Sequence, residues 1–158
     1  MQVSTRKFVI ALLFVSASLW AADAKDPLMG TWKLNVAKSK YSSGQPPKGG
    51  TTTYEPYGKD GFKFTADNVD AQGKTTHVTF VAEYDGKDYP ITGDPSRDTI
   101  FCKRIDSHSH QTTNKKDGKI TTTSRRVISK DGKTLTLTTT GKTPQGQEVK
   151  NVLVFEKQ

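Results

Sequence analysis

The residues of this chain with the most chemical potential are Arg104 and Arg126, the histidines His77, His108 and His110, and the single cysteine, Cys102. Arg104 and Arg126 each stand in a stretch rich in strand-forming residues. If either points into the protein, its charge needs an anionic ligand group or a stacked aromatic face, because an isolated buried charge is costly. An inward arginine therefore favours an acidic lipid or an aromatic acid as ligand. His108 and His110 are two apart on an expected strand, so their rings would leave one face as a metal pair could. Asp106 is the only carboxylate close by in sequence, no cysteine joins them, and His77 would have to arrive from another strand. A solvated loop is the reading that follows for the pair, and neither a metal nor any other cofactor is expected. Cys102 excludes an intrachain disulfide and reads as a buried thiol.

Catalysis requires a nucleophile beside a base, paired carboxylates or a glycine loop that cradles phosphate. Gly-x-Ser-x-Gly is absent, and the glycines stand singly in turns. A barrel enzyme acting on a small organic acid would have to use Glu83, Asp67 or His77, and each of these has a solvent-facing reading. The chain is not expected to be an enzyme.

The elements that would position such groups are strands. A two-residue turn recurs at Asp60-Gly61, Gln72-Gly73, Asp85-Gly86, Asp117-Gly118, Asp131-Gly132 and Gln145-Gly146. Aspartate followed by glycine suits the positive backbone dihedrals of tight hairpins. Between the turns apolar and polar residues alternate, as in Phe62, Phe64 and Ala66, or Val78, Phe80, Ala82 and Tyr84, or Leu135 and Leu137. Threonine fills the opposite faces, and its branched β-carbon favours the strand. The fold class expected is all-β, a single up-and-down antiparallel β-barrel of about 8–10 strands. Its interior is expected to be lined by Tyr54, Phe62, Phe64, Val78, Phe80, Tyr84, Ile100, Leu135 and Phe155, with Arg126 as the polar group. The irregular stretch Ala37 to Gly50 is expected to cover one mouth.

Residues 1–24 read as a secretory signal, with Arg6 and Lys7 before the apolar run Phe8 to Trp20 and small residues at Ala22 and Ala24. The run is too short to span a bilayer comfortably, so no integral membrane segment is expected once it is removed. Residues 25–158 then form one domain, exported to the periplasm or beyond, and monomeric. The net charge of +8 comes from lysines spread along the chain, many beside turn glycines. A nucleic-acid surface would gather them on one face among aromatics, so no nucleic-acid partner is expected.

The segment Gly30-Thr31-Trp32-Lys33-Leu34 resembles the Gly-x-Trp opening of the lipocalin and fatty-acid-binding families of the calycin superfamily. The ending Val152-Leu153-Val154-Phe155-Glu156-Lys157 looks like the closing strand of fatty-acid-binding proteins. Leu34 to Lys40 also resembles a group of bacterial exported lipocalin-like proteins. The resemblance implies a structural Trp32 packed on the barrel floor, with an arginine stacked on it, Arg126 or Arg104. It implies a small hydrophobic or amphipathic molecule as partner. Two family features are missing: the stretch Ala37 to Gly50 is too short for a helical lid, and Leu153 and Phe155 stand where an arginine and a tyrosine would hold a fatty-acid carboxylate. A barrel filled solid, serving structure or protein interaction, is the alternative.

Overall fold

Each strand stretch alternates a side chain that must leave water with one that need not, and a closed antiparallel sheet hides one face without leaving long edges. The computed structural model describes residues 26–42 and 44–158, and the expected signal segment lies outside them. The strands are β1 (Gly30–Leu34), β2 (Gly49–Tyr57), β3 (Gly61–Val69), β4 (Thr75–Glu83), β5 (Asp88–Pro90), β6 (Thr99–Asp106), β7 (Ser109–Lys116), β8 (Lys119–Ile128), β9 (Thr134–Lys142) and β10 (Glu148–Lys157). They form one 10-stranded sheet in the order β4-β3-β2-β1-β10-β9-β8-β7-β6-β5. All pairs are antiparallel, and β1 joins the last strand to the second. This is the nearly closed up-and-down barrel that the hairpin rhythm predicts. Among the described residues the only helical turn is a 3-10 piece, Val36–Lys38, with Asn35 accepting from the Lys38 amide as its cap.

The seam lies between β4 and the β5–β6 edge. Among the described residues a single bridge closes it, with the Thr79 amide donating to the Thr92 carbonyl at 3.0 Å and the reverse bond at 2.9 Å. The bridge depends on Gly93, whose φ is +88° and whose backbone passes so near β4 that a Cβ there would sit 1.8 Å from the His77 carbonyl oxygen. The Asp117-Gly118 hairpin has φ of 48° and 72° at its two residues, as a tight turn between twisted strands requires. At Asp60-Gly61 the expectation fails, because the positive φ falls on Gly58 and Gly61 already begins β3. Gly61 is needed for closeness instead, since a Cβ would meet the Ala82 carbonyl oxygen at 2.4 Å.

One end of the barrel is plugged. Leu28, Trp32, Phe62, Ala82 and Ile128 are buried there, and the Trp32 indole N–H donates to the Leu28 carbonyl at 2.8 Å. Neither Arg126 nor Arg104 stacks on Trp32. The Lys157 ammonium does, 4.8 Å from the ring centroid, because register makes Lys157 the direct partner of Trp32 across β1 and β10. Arg104 and Arg126 belong to β6 and β8, further round the wall, and cover Tyr84 and Tyr54 instead. The stretch Ala37 to Gly50 also departs from expectation. It begins by extending the wall, with Lys40 bridged to Val152 and the Ser39 hydroxyl accepting from the Val154 amide, and none of its described residues lines the interior cavity.

Candidate ligand-binding site

Alternate residues of β6 to β10 enter the barrel, and register stacks them in rows. One row runs through Arg104, His110, Arg126, Leu137 and Leu153. The row beside it, further from the plugged end, runs through Cys102, Thr112, Ser124, Thr139 and Asn151. Asn114 then pairs with Thr122. Arg126, Leu137 and Leu153 of the first row, Thr112, Ser124 and Thr139 of the second, and Asn114 and Thr122 face Phe64, Ala66 and Val78 of β3 and β4 across a cavity of about 320 Å³. That is about ten waters' share of liquid volume, at the small end of ligand pockets, which run from about 300 to 1,000 Å³. One wall is apolar, completed by Leu135, Leu153 and Phe155; the other carries Thr112, Asn114, Thr122, Ser124 and Thr139. The far end opens at Lys142, Thr143 and Pro144.

Arg126 sits in the cavity wall with 5% of its surface exposed. Its Nε donates to the Tyr54 hydroxyl at 3.0 Å, and its guanidinium carbon is 5.7 Å from that ring's centroid. Its Nη1 is buried with no hydrogen-bond partner among the described residues. A guanidinium stays charged in proteins, so a counter-charge is needed. Burial pushes the Tyr54 hydroxyl up, against the opposing pull of Arg126, and burial pushes the Cys102 thiol up to about 11. Both neighbours are therefore neutral at pH 7. The Arg126 charge is uncompensated among the described residues, a costly state that an anionic occupant relieves.

His110 lies beside Arg126 in register and is 1% exposed, so the expectation of a solvated loop is corrected for it. Its ring stacks on Tyr84 at 5.3 Å and 19°, and neither ring nitrogen has a partner among the described residues. Burial, opposed by Asp26 and reinforced by Arg126 and Arg104, pulls its pKa down to about 4. The imidazole is thus neutral near pH 7. His108 stays in the β6–β7 turn with its Nδ1 2.9 Å from the Ser107 hydroxyl, so the two rings do not form a pair. Arg104 is held at the plugged end by Asp60 at 2.6 Å and Asp26 at 3.0 Å, with its guanidinium 4.3 Å from the Tyr84 centroid.

Toward the open end, Arg97 donates from Nε to Asp94 at 2.6 Å and from Nη1 to the Asn114 Oδ1 at 3.0 Å. Asn114 in turn donates to the Thr122 hydroxyl oxygen at 2.9 Å. Burial pushes the Asp94 carboxyl up, but Arg97 and Ser96 outweigh it and hold the group below its usual range. Ser124 and Thr139 share a hydrogen bond of 2.8 Å.

Of the expected lining, Tyr54, Phe64, Val78, Arg126, Leu135 and Phe155 border the cavity. Phe62, Phe80 and Ile100 are buried but do not border it. Phe80 stacks on Phe64 at 4.6 Å and meets Phe62 edge-on at 6.0 Å, so these rings fill part of the barrel with each other. Tyr84 faces His110 and Arg104 at the plugged end. Glu83 accepts from the Lys59 amide at 3.2 Å, and Asp67 pairs with His77 at 2.7 Å on an exposed part of the wall. Sequence reasoning missed Arg97 and the hydroxyl and amide wall. No apolar alternation along β7 or β8 marks those hydroxyl and amide residues as inward.

Solved β-barrel structures share this fold, among them two redesigned proteins. The redesigned β-barrel b11L5F_LGL superposes with a TM-score of 0.51 at 13% identity, over 84% of this chain and 92% of its own. The redesigned β-barrel mFAP1, bound to DFHBI, superposes with a TM-score of 0.50 at 14% identity, over 83% of this chain and 95% of its own. No protein-family model and no curated protein matches the chain.

Proposed function

We propose that this chain is an exported, noncatalytic, lipocalin-like carrier that holds one small, mostly apolar molecule in its barrel, with an anionic group of that molecule on Arg126. The observation that carries the reading is the buried, uncompensated guanidinium of Arg126 in the wall of a cavity with a hydrophobic flank. Burial of ligand surface drives binding, at about 25 cal/mol per Å² of apolar area. Aliphatic and aromatic side chains supply the contact, and Arg126 sets the orientation. The bound dye of mFAP1 supports the capacity of this kind of barrel for a small molecule. The pattern of residues 1–24 supports export.

Native mass spectrometry of protein purified from its own host tests the reading. The expected result is an adduct of one organic acid per chain, displaced by an anionic hydrophobic probe such as 1-anilinonaphthalene-8-sulfonate. A bare polypeptide mass together with no response to that probe overturns the carrier reading and favours a structural or protein-interaction barrel.

A further inference from the structure

The Thr122 hydroxyl proton has its direction restricted by a chain of neighbours that begins at an ion pair. Arg97 is anchored on Asp94 and has only donors to offer, so the atom of Asn114 that faces Arg97 Nη1 must be the carbonyl oxygen. That orients the amide, and Asn114 Nδ2 then donates to Thr122 Oγ1. The Thr122 oxygen is an acceptor in this bond. Its own proton must point elsewhere, and no acceptor for it is found among the described residues. Thr122 borders the cavity. The Ser124 and Thr139 hydroxyls differ, because either can donate to the other and their pair can reverse. The relay from Asp94 through Arg97 and Asn114 cannot reverse, and a preorganised donor of this kind rewards an acceptor more than a freely rotating hydroxyl does.

We propose that Thr122 is a specificity-determining donor, and that the ligand is an amphipathic acid oxygenated toward the end away from its carboxylate. The proposal rests on the reading of Arg126 as the anion site. Thr122 and Arg126 are four residues apart on β8, so their Cα atoms lie about 13 Å apart along the strand. A medium-chain acid with a hydroxyl, ether or carbonyl oxygen near its far end has the length to meet both. A plain alkyl acid satisfies Arg126 and leaves Thr122 without an acceptor once water is displaced, which removes part of the affinity.

Isothermal titration of the protein with decanoate and with 10-hydroxydecanoate tests this, because the two acids share a chain and differ at the far end. The hydroxylated acid is expected to bind at least about fivefold more tightly, the yield of one good hydrogen bond. Thr122→Val should bring the ratio of the two affinities to about one, and Thr122→Ser should retain the preference. Arg97→Leu should shrink it by freeing the Asn114 amide, which makes Arg97 a positioning residue. Arg126→Met should weaken both acids by a similar factor. Equal affinities in the unaltered protein, or a preference that survives Thr122→Val, overturn the proposal and leave the carrier reading standing. Failure of both acids to bind overturns the two together.

Discussion

Arg126→Met keeps the length of the side chain and removes its charge, and the structure predicts opposite effects on stability and on binding. In the folded protein the guanidinium is 5% exposed, makes one hydrogen bond to Tyr54 at 3.0 Å, and has a buried Nη1 without a partner among the described residues. Losing the charged bond costs about 1.5–3 kcal/mol. Removing a buried charge with no counter-ion recovers a desolvation penalty of several kcal/mol. The difference leaves the ligand-free variant more stable by about 1–3 kcal/mol, within the range for apolar replacement of buried ionic groups. For a domain of this size that raises Tm by about 3–12 °C. Affinity for an anionic hydrophobic probe moves the other way, falling about tenfold or more with the loss of a charge-assisted contact. Scanning calorimetry with and without 1-anilinonaphthalene-8-sulfonate reads both effects. A variant that melts below the parent and binds the probe as well as the parent refutes the reasoning, because Arg126 would then be compensated from within the fold.

The remaining predictions concern the plugged end and the seam. His110 is held at about 4 by burial, against an ordinary value of 6.5, so between these values the unfolded chain takes up a proton that the folded chain refuses. The stability that depends on the ring staying neutral is complete above about pH 6.5 and is lost as the pH falls toward 4, with an expected total of about 3 kcal/mol. Urea unfolding across that range should show the slope, and His110→Phe should flatten it. Gly93→Ala places a Cβ against the His77 carbonyl at a positive φ, so the Thr79–Thr92 bridge should break. Hydrogen exchange at those two amides is expected to accelerate while β7 to β9 keep their protection; unchanged exchange would show that the bridge tolerates the strain.

Much of the wall was legible along the chain because its signals are local. Alternation at Phe62, Phe64 and Ala66 or at Leu135 and Leu137 assigns an inner face from neighbours two residues away, and the Asp-Gly rhythm marks most of the reversals. Six of the residues expected around a pocket do border the cavity, Arg126 among them. The hydroxyl wall was not legible. Ser109–Lys116 and Lys119–Ile128 carry polar residues at both parities, so no apolar alternation marks which threonines turn inward.

What the sequence determined by itself was therefore the all-β class, the antiparallel meander and the inward face wherever apolar residues alternate with polar ones. Tertiary structure alone decided that Lys157 covers Trp32, that His110 is buried beside Arg126, and that Asp94, Arg97, Asn114 and Thr122 meet in one chain of hydrogen bonds. The physical reason is register. Hydrophobic alternation is a property of one strand, whereas which polar side chains face each other depends on how far separate strands slide before they pair, and that is settled only when the barrel closes.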